Sequence, residues 1–132
     1  MEVLIANEIA VAEVNRWLDA KKIGAKKRET YKSTISQLVE YVEEGVLILS
    51  DDCIFTHALK FPIGVDTTTT KLTYKLRLSV DASIEGLKGT NGSGTETVLA
   101  YVSALTGEVK GFIKKLDSED YSVAQAITVF FL

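Results

Sequence analysis

Apolar residues recur along the first fifty positions at helical spacing. Leu4, Val11, Val14 and Leu18 step by seven, three and four, which places them on one stripe of a helix interrupted by Asn7. Lys21 and Lys22 suit the negative end of such a helix, and Gly24 reads as its stop. Beyond the basic run Lys26-Lys27-Arg28, Tyr31, Ile35, Leu38 and Val42 repeat the spacing, Val39 widens the stripe and Gly45 ends it. Two amphipathic helices joined by a short turn predict an antiparallel helical hairpin over residues 1–45.

From Val46 the period changes to two. Cys53, Phe55, His57, Leu59 and Phe61 fall on one side of a predicted strand, with Thr56 and Lys60 on the other. Residues 71–78 alternate without a fault: Leu72, Tyr74, Leu76 and Leu78 share one face, Lys71, Thr73, Lys75 and Arg77 the other. Asp66 and the four threonines after it make a polar connection of hairpin length, so the two strands pair antiparallel. Val46–Leu49, turned by Ser50-Asp51-Asp52, is a candidate third strand.

Helical spacing then returns. A short helix is predicted at 81–88, followed by one capped by Thr95, carrying Val98, Leu99, Val102 and Leu105, and stopped by Gly107. A further piece covers 108–116. Asp117 reads as an N-cap with Asp120 at the third helical position, opening a closing helix through Tyr121, Ala124, Ile127 and Phe131. The final Ala-Ile-Thr-Val-Phe-Phe-Leu is β-branched and aromatic enough to leave a terminal strand as the alternative. The pattern predicts an α+β fold in one domain, residues 1–132: a small antiparallel β-hairpin or three-stranded sheet packed against helices, with the hairpin at 1–45 ahead of an α+β part at 46–132.

Composition narrows the function classes. At 132 residues, 46% hydrophobic and 25% charged, the chain can bury one core. Fifteen basic against eighteen acidic residues leave a net charge of −3, which gives no general attraction to nucleic acid or anionic lipid. One cysteine cannot form an internal disulfide, the start Met-Glu-Val-Leu-Ile-Ala-Asn-Glu lacks a signal peptide's basic end, and no run of about 18 apolar residues occurs. A cytoplasmic protein with no membrane span is expected.

Chemistry-bearing residues are sparse. Cys53 and His57 stand four apart on a predicted strand, roughly 13 Å at about 3.3 Å per residue, too far for a thiol–imidazole pair. His57 shares its face with Phe55 and Leu59, as a structural histidine does. Two N or S ligands do not make a zinc site. Gly89-Thr-Asn-Gly-Ser-Gly-Thr95 has the glycine spacing of a phosphate loop but lacks its Lys, and reads as a connector. The carboxylates at 43–44, 51–52 and 117–120 suit helix ends, turns and caps. No catalytic, cofactor-binding or metal-ligating residue is singled out, and an enzyme is not expected.

The order of features from residue 55 onward nevertheless forms a pattern. Phe-Thr-His-Ala-Leu-Lys-Phe-Pro-Ile63 leads through Val65-Asp66 to Leu-Thr-Tyr-Lys-Leu-Arg-Leu78, then to a short acidic helix, a helix ending Val-Ser-Ala-Leu-Thr-Gly107, and Lys-Leu-Asp-Ser-Glu-Asp-Tyr121 opening the last helix. Residues 55–132 in this order resemble the Mu-like tail assembly chaperones of tailed phages; residues 1–50 lie outside the resemblance. It implies a non-catalytic factor in the host cytoplasm that binds the tape-measure protein, keeps its hydrophobic helices from aggregating and helps recruit tail-tube protein. Two other readings stand beside it: a structural or adaptor subunit retained in the particle, and a nucleic-acid-associated regulator using the basic turn at 21–28. Self-association is left open. The terminal Val129, Phe130, Phe131 and Leu132 are apolar on more faces than one helix stripe requires, which marks them as candidate partner-binding residues.

Overall fold

The computed structural model describes residues 4–64, 68–88 and 93–132. They fold as seven helices and a three-stranded antiparallel sheet, the α+β class that the changes of period predict. Helix α1 spans Asn7–Ala20, α2 Ala25–Thr30 and α3 Lys32–Glu43; strands β1, β2 and β3 span Leu47–Leu49, Phe55–Ile63 and Thr69–Tyr74; helices α4 to α7 span Val80–Leu87, Gly94–Thr106, Lys110–Ile113 and Ser118–Thr128. A 3-10 turn, Val129–Phe131, closes the chain.

Helices α1 and α3 form the expected hairpin. They run antiparallel, since the amides of Leu4 and Ile5 donate to Glu43 O at the far end of α3, at 2.8 and 3.1 Å. The stripe on α1 is turned from the one read in the sequence: Ala10, Val14, Trp17 and Leu18 are buried, whereas Val11 is 38% and Leu4 64% exposed. Trp17 sets the rotation, because its ring packs on Phe55 at 5.1 Å and on Phe130 at 5.5 Å.

Helix α1 also stops earlier than Gly24. Lys22 takes the left-handed conformation at φ 58°, and Ile23 N reaches back to Leu18 O at 3.0 Å, a Schellman ending without glycine. Gly24 instead starts α2, which makes a helix of the basic run expected as a turn. At the end of α3 the same motif uses Gly45, φ 75°, with Val46 N bonded to Tyr41 O at 2.9 Å. There the positive φ favours glycine, and a Cβ would also displace the exposed end of Leu4, whose Cδ1 lies 2.9 Å away.

The sheet order is β1-β2-β3. Phe55, His57 and Leu59 of β2 and Leu72 and Tyr74 of β3 face the helices, as alternation predicts. Two positions depart from it. Cys53 is not on the strand but in the β1–β2 turn at φ 62°, where Arg16 Nη1 donates to Ser50 O at 2.9 Å and lies 3.4 Å from Cys53 Sγ. Phe61 is 52% exposed, because β2 advances five residues from Ala58 to Ile63 while β3 moves only two, from Lys71 to Thr69. This bulge breaks the alternation beyond Leu59, where Lys60, Phe61 and Pro62 are all exposed. Strand β3 ends at Tyr74, four residues short of the alternating pattern, because Lys75 N leaves the ladder for Leu105 O at 3.0 Å. Leu76 and Leu78 still pack on the core from that irregular stretch. The expected hairpin connection includes residues 65–67, which lie outside the described residues.

In the C-terminal half, α5 is capped by Ser93, whose Oγ accepts from Glu96 N at 3.1 Å; Thr95 is inside the helix. Gly107 ends it at φ 78°, as expected. Residues 89–92 of the glycine-rich connector lie outside the described residues. Asp117 caps α7 by accepting from Glu119 N at 2.9 Å. The last seven residues are not a strand: Ala126 and Ile127 are buried on α7, and Phe130 inserts between Trp17 and Tyr31. Tertiary packing overrides the local β preference there. One buried cluster runs from Ala10 to Phe130, so the hairpin and the α+β part share a core.

Because Phe130 is 3% exposed and Leu132 is 53% exposed, substitutions at the two positions should differ sharply. In urea denaturation, Phe130→Ala should cost about 3–5 kcal/mol. Leu132→Ser should stay within about 0.5 kcal/mol of the parent.

Candidate functional site

Where β2 bulges, the amides of Lys60 and Phe61 leave the sheet ladder and need an acceptor. Asp120, on the first turn of α7, supplies it: Oδ1 accepts from Lys60 N at 2.9 Å and Oδ2 from Phe61 N at 3.0 Å. Although it stands at the third position of its own helix, its side chain is spent across the fold. Its side chain is fully buried, with both oxygens accepting as an ionised carboxylate does.

Asp120 is also one end of a buried polar row. His57 Nε2 lies 3.4 Å from Asp120 Oδ1, and His57 Nδ1 lies 2.9 Å from Tyr74 Oη. The tautomer that suits both neighbours puts the proton on Nε2, facing the carboxylate, and lets Tyr74 donate to Nδ1. The contact to Asp120 is long and not aligned as a hydrogen bond, which leaves Nε2 without a hydrogen-bond partner. Burial lowers the His57 pKa below its ordinary 6.5, outweighing the opposite pull of Asp120. Burial, aided by the Asp120 charge, pushes the Tyr74 phenol far above its ordinary range.

A row of carboxylate, imidazole and phenol could in principle pass a proton. Here none of the three reaches solvent: His57 and Asp120 are 0% and Tyr74 1% exposed. The row offers no position where a substrate atom could meet the imidazole, so geometry gives it a structural role. The sequence places His57 correctly on a buried face but gives no pointer to its partners. Pro62 does mark the bulge, since proline within a strand signals an edge or a bulge, and a bulge frees amides that need an acceptor. Among the described residues no group of three or more His, Cys, Asp and Glu is placed to hold a metal ion, and no helix is long and apolar enough to cross a membrane.

The terminal candidates separate. Phe130 belongs to the core, Val129 and Phe131 are half-buried, and Leu132 is exposed. The basic segment latches Phe130 and Phe131: Lys21 Nζ, after α1, sits 3.3 Å from the centroid of the Phe131 ring and donates to Leu76 O at 2.9 Å, while Lys27 Nζ, on α2, donates to Phe130 O at 3.5 Å. Burial, with the nearby charges of Arg77 and Lys27, lowers Lys21 to a pKa of about 8. Arg28 donates to Ile23 O and to Asp19 Oδ1, both at 2.8 Å. Three of the five cations at 21–28 are thus engaged within the fold, which removes much of the charge that a phosphate backbone would meet.

An apolar groove of about 360 Å³ opens elsewhere on the same half, between α5, α6 and α7, floored by Leu99, Ile113, Leu116 and Tyr121 and edged by Glu96 and Lys114. No family model, curated protein or solved structure matches this chain.

Two substitutions test the buried row. Asp120→Ala should cost about 3–5 kcal/mol, since two buried amides lose their acceptor together, and Asp120→Asn, which keeps one acceptor, about 2 kcal/mol. For His57 the unfolded state binds the proton more tightly than the folded one, so its contribution is present in full above pH 6.5 and is lost as pH falls through that value. Melting temperatures should therefore drop from about pH 7 to about pH 5 in the parent protein, with a shallower slope in His57→Gln.

Proposed function

We propose that this chain is a non-catalytic protein-binding factor, and specifically a tail assembly chaperone that holds the tape-measure protein of a phage or prophage in the host cytoplasm and assists tail-tube assembly. The tail-chaperone part of this reading comes from the resemblance of residues 55–132. The observation that supports protein binding is the groove over Leu99, Ile113, Leu116 and Tyr121. A concave apolar strip between helices is the shape that accepts the apolar face of a partner helix. The groove lies inside the family-like part of the chain and is a better docking surface than Val129, Phe130, Phe131 and Leu132, of which Phe130 is held by the protein's own hairpin. The one histidine, sealed from solvent, fits a protein that does no chemistry.

Ser118→Trp, an exposed position at the groove's rim, should fill the strip without touching the core. Co-expressed with the tape-measure protein of the same phage, the parent chain should co-purify with it and keep it from sedimenting, and Ser118→Trp should retain its melting temperature but lose roughly tenfold in recovery of the complex. Failure of the parent to bind would overturn the chaperone reading, and finding the chain in purified particles would replace it with the structural-subunit reading.

A further inference from the structure

The C-terminal end of α3 carries charge of the wrong sign for a helix. Glu40, Glu43 and Glu44 crowd its last turn and cap, where the carbonyl end of the dipole favours cations, and the last turn has no basic residue. Among the described residues, none of the three forms an ion pair; Glu43 accepts one hydrogen bond, from Asn7 Nδ2 at 3.2 Å. The Glu40 and Glu44 charges also raise the pKa of Tyr41, behind its burial as the larger cause. Among the described residues, no cation pairs with this concentration of negative charge. Locally unfavourable choices with no structural return occur where a surface is used for something else.

Beside these carboxylates lies a groove of about 340 Å³ between α1 and α3. Val11, Ile35 and Val39 line it, with Glu40, Glu43 and Asn7 also on its wall and no cation. Ile35 and Val39 are one helical turn apart and face Val11 on the antiparallel neighbour, leaving the seam of a two-helix hairpin ready for a third helix. Val11 is 38% exposed, so the α1 side of the groove is open to solvent.

We infer that the α1–α3 seam is a docking surface for an amphipathic helix of a partner protein, one whose apolar stripe is flanked by Lys or Arg. The apolar stripe covers Val11, Ile35 and Val39, and the flanking cations meet the unpaired carboxylates at the end of α3. Charge complementarity selects this occupant over an acidic helix or a nucleic acid, both of which the rim repels. The site is separate from the α5–α7 groove and stands whether or not the tape-measure protein is the partner.

The test uses the full chain and two synthetic peptides, each of roughly 18 residues with Leu at i, i+3, i+4 and i+7, one carrying Lys and the other Glu beside the stripe. The Lys peptide should bind with a dissociation constant on the order of 10 µM, weaken as salt is raised, and shift the amide resonances of Val11, Ile35 and Val39. The Glu peptide should bind at least about tenfold more weakly. Glu40→Lys with Glu43→Lys should lower affinity for the Lys peptide by about tenfold while leaving the melting temperature equal or higher, since the change suits the helix end. Equal affinity for the two peptides, or resonance shifts confined to the α5–α7 groove, would overturn the inference. So would a dimer in sedimentation that the double substitution dissociates, because the occupant would then be a second copy of this chain.

Discussion

The fold depends on one buried carboxylate. Asp120 sits at the start of α7, yet its oxygens belong to β2, where they accept the two amides that the bulge at Lys60 and Phe61 releases from the sheet. A buried charge is costly, and here the cost is offset by two charge-assisted bonds to groups that would themselves be expensive to leave unpaired. The same contact fixes the position of α7 against the sheet and sets Asp120 beside His57, which in turn meets Tyr74 on β3. Helix, central strand and edge strand are joined through a single polar row inside an otherwise apolar core.

The last turn of the chain follows from that placement. With α7 fixed on β2, the 3-10 turn carries Phe130 to Trp17 and Tyr31, and Phe131 under the Lys21 ammonium. The hairpin and the C-terminus therefore stabilise each other, and the basic turn contributes to this closure. What remains at the surface is divided between two seams of different character: the strip between α5, α6 and α7, with one charge of each sign at its edge, and the strip between α1 and α3, with carboxylates alone.

Periodicity made the elements legible because each helix and strand buries one face. The stripes Leu38, Val39 and Val42 on α3 and Leu99, Val102 and Leu105 on α5 are core as read, and the change to period two at Val46 marks the sheet. The misreadings share a cause: the sequence shows spacing but not what lies opposite. Trp17 turns α1 toward Phe55 and Phe130 and leaves Val11 outside; the bulge turns Phe61 outward; the Lys75 bond to Leu105 cuts β3 short. Phe130 looked like surplus apolar surface because its pocket is built by residues a hundred positions away. Asp120 is the sharpest case, since as an N3 residue it has an ordinary local role, and only the long-range bulge gives it a different one.

The Asp120 contact makes its sharpest mark on two backbone amides. In native-state hydrogen exchange, Lys60 N–H and Phe61 N–H have no strand partner at the bulge, and a surface loop would let them exchange at nearly the rate of an unfolded chain. If Asp120 holds them as described, both should exchange only with the slow opening that also releases the amides at the centre of α7, and Asp120→Asn should selectively accelerate one or both. Fast exchange of the pair in the parent protein, with α7 still protected, would contradict the account.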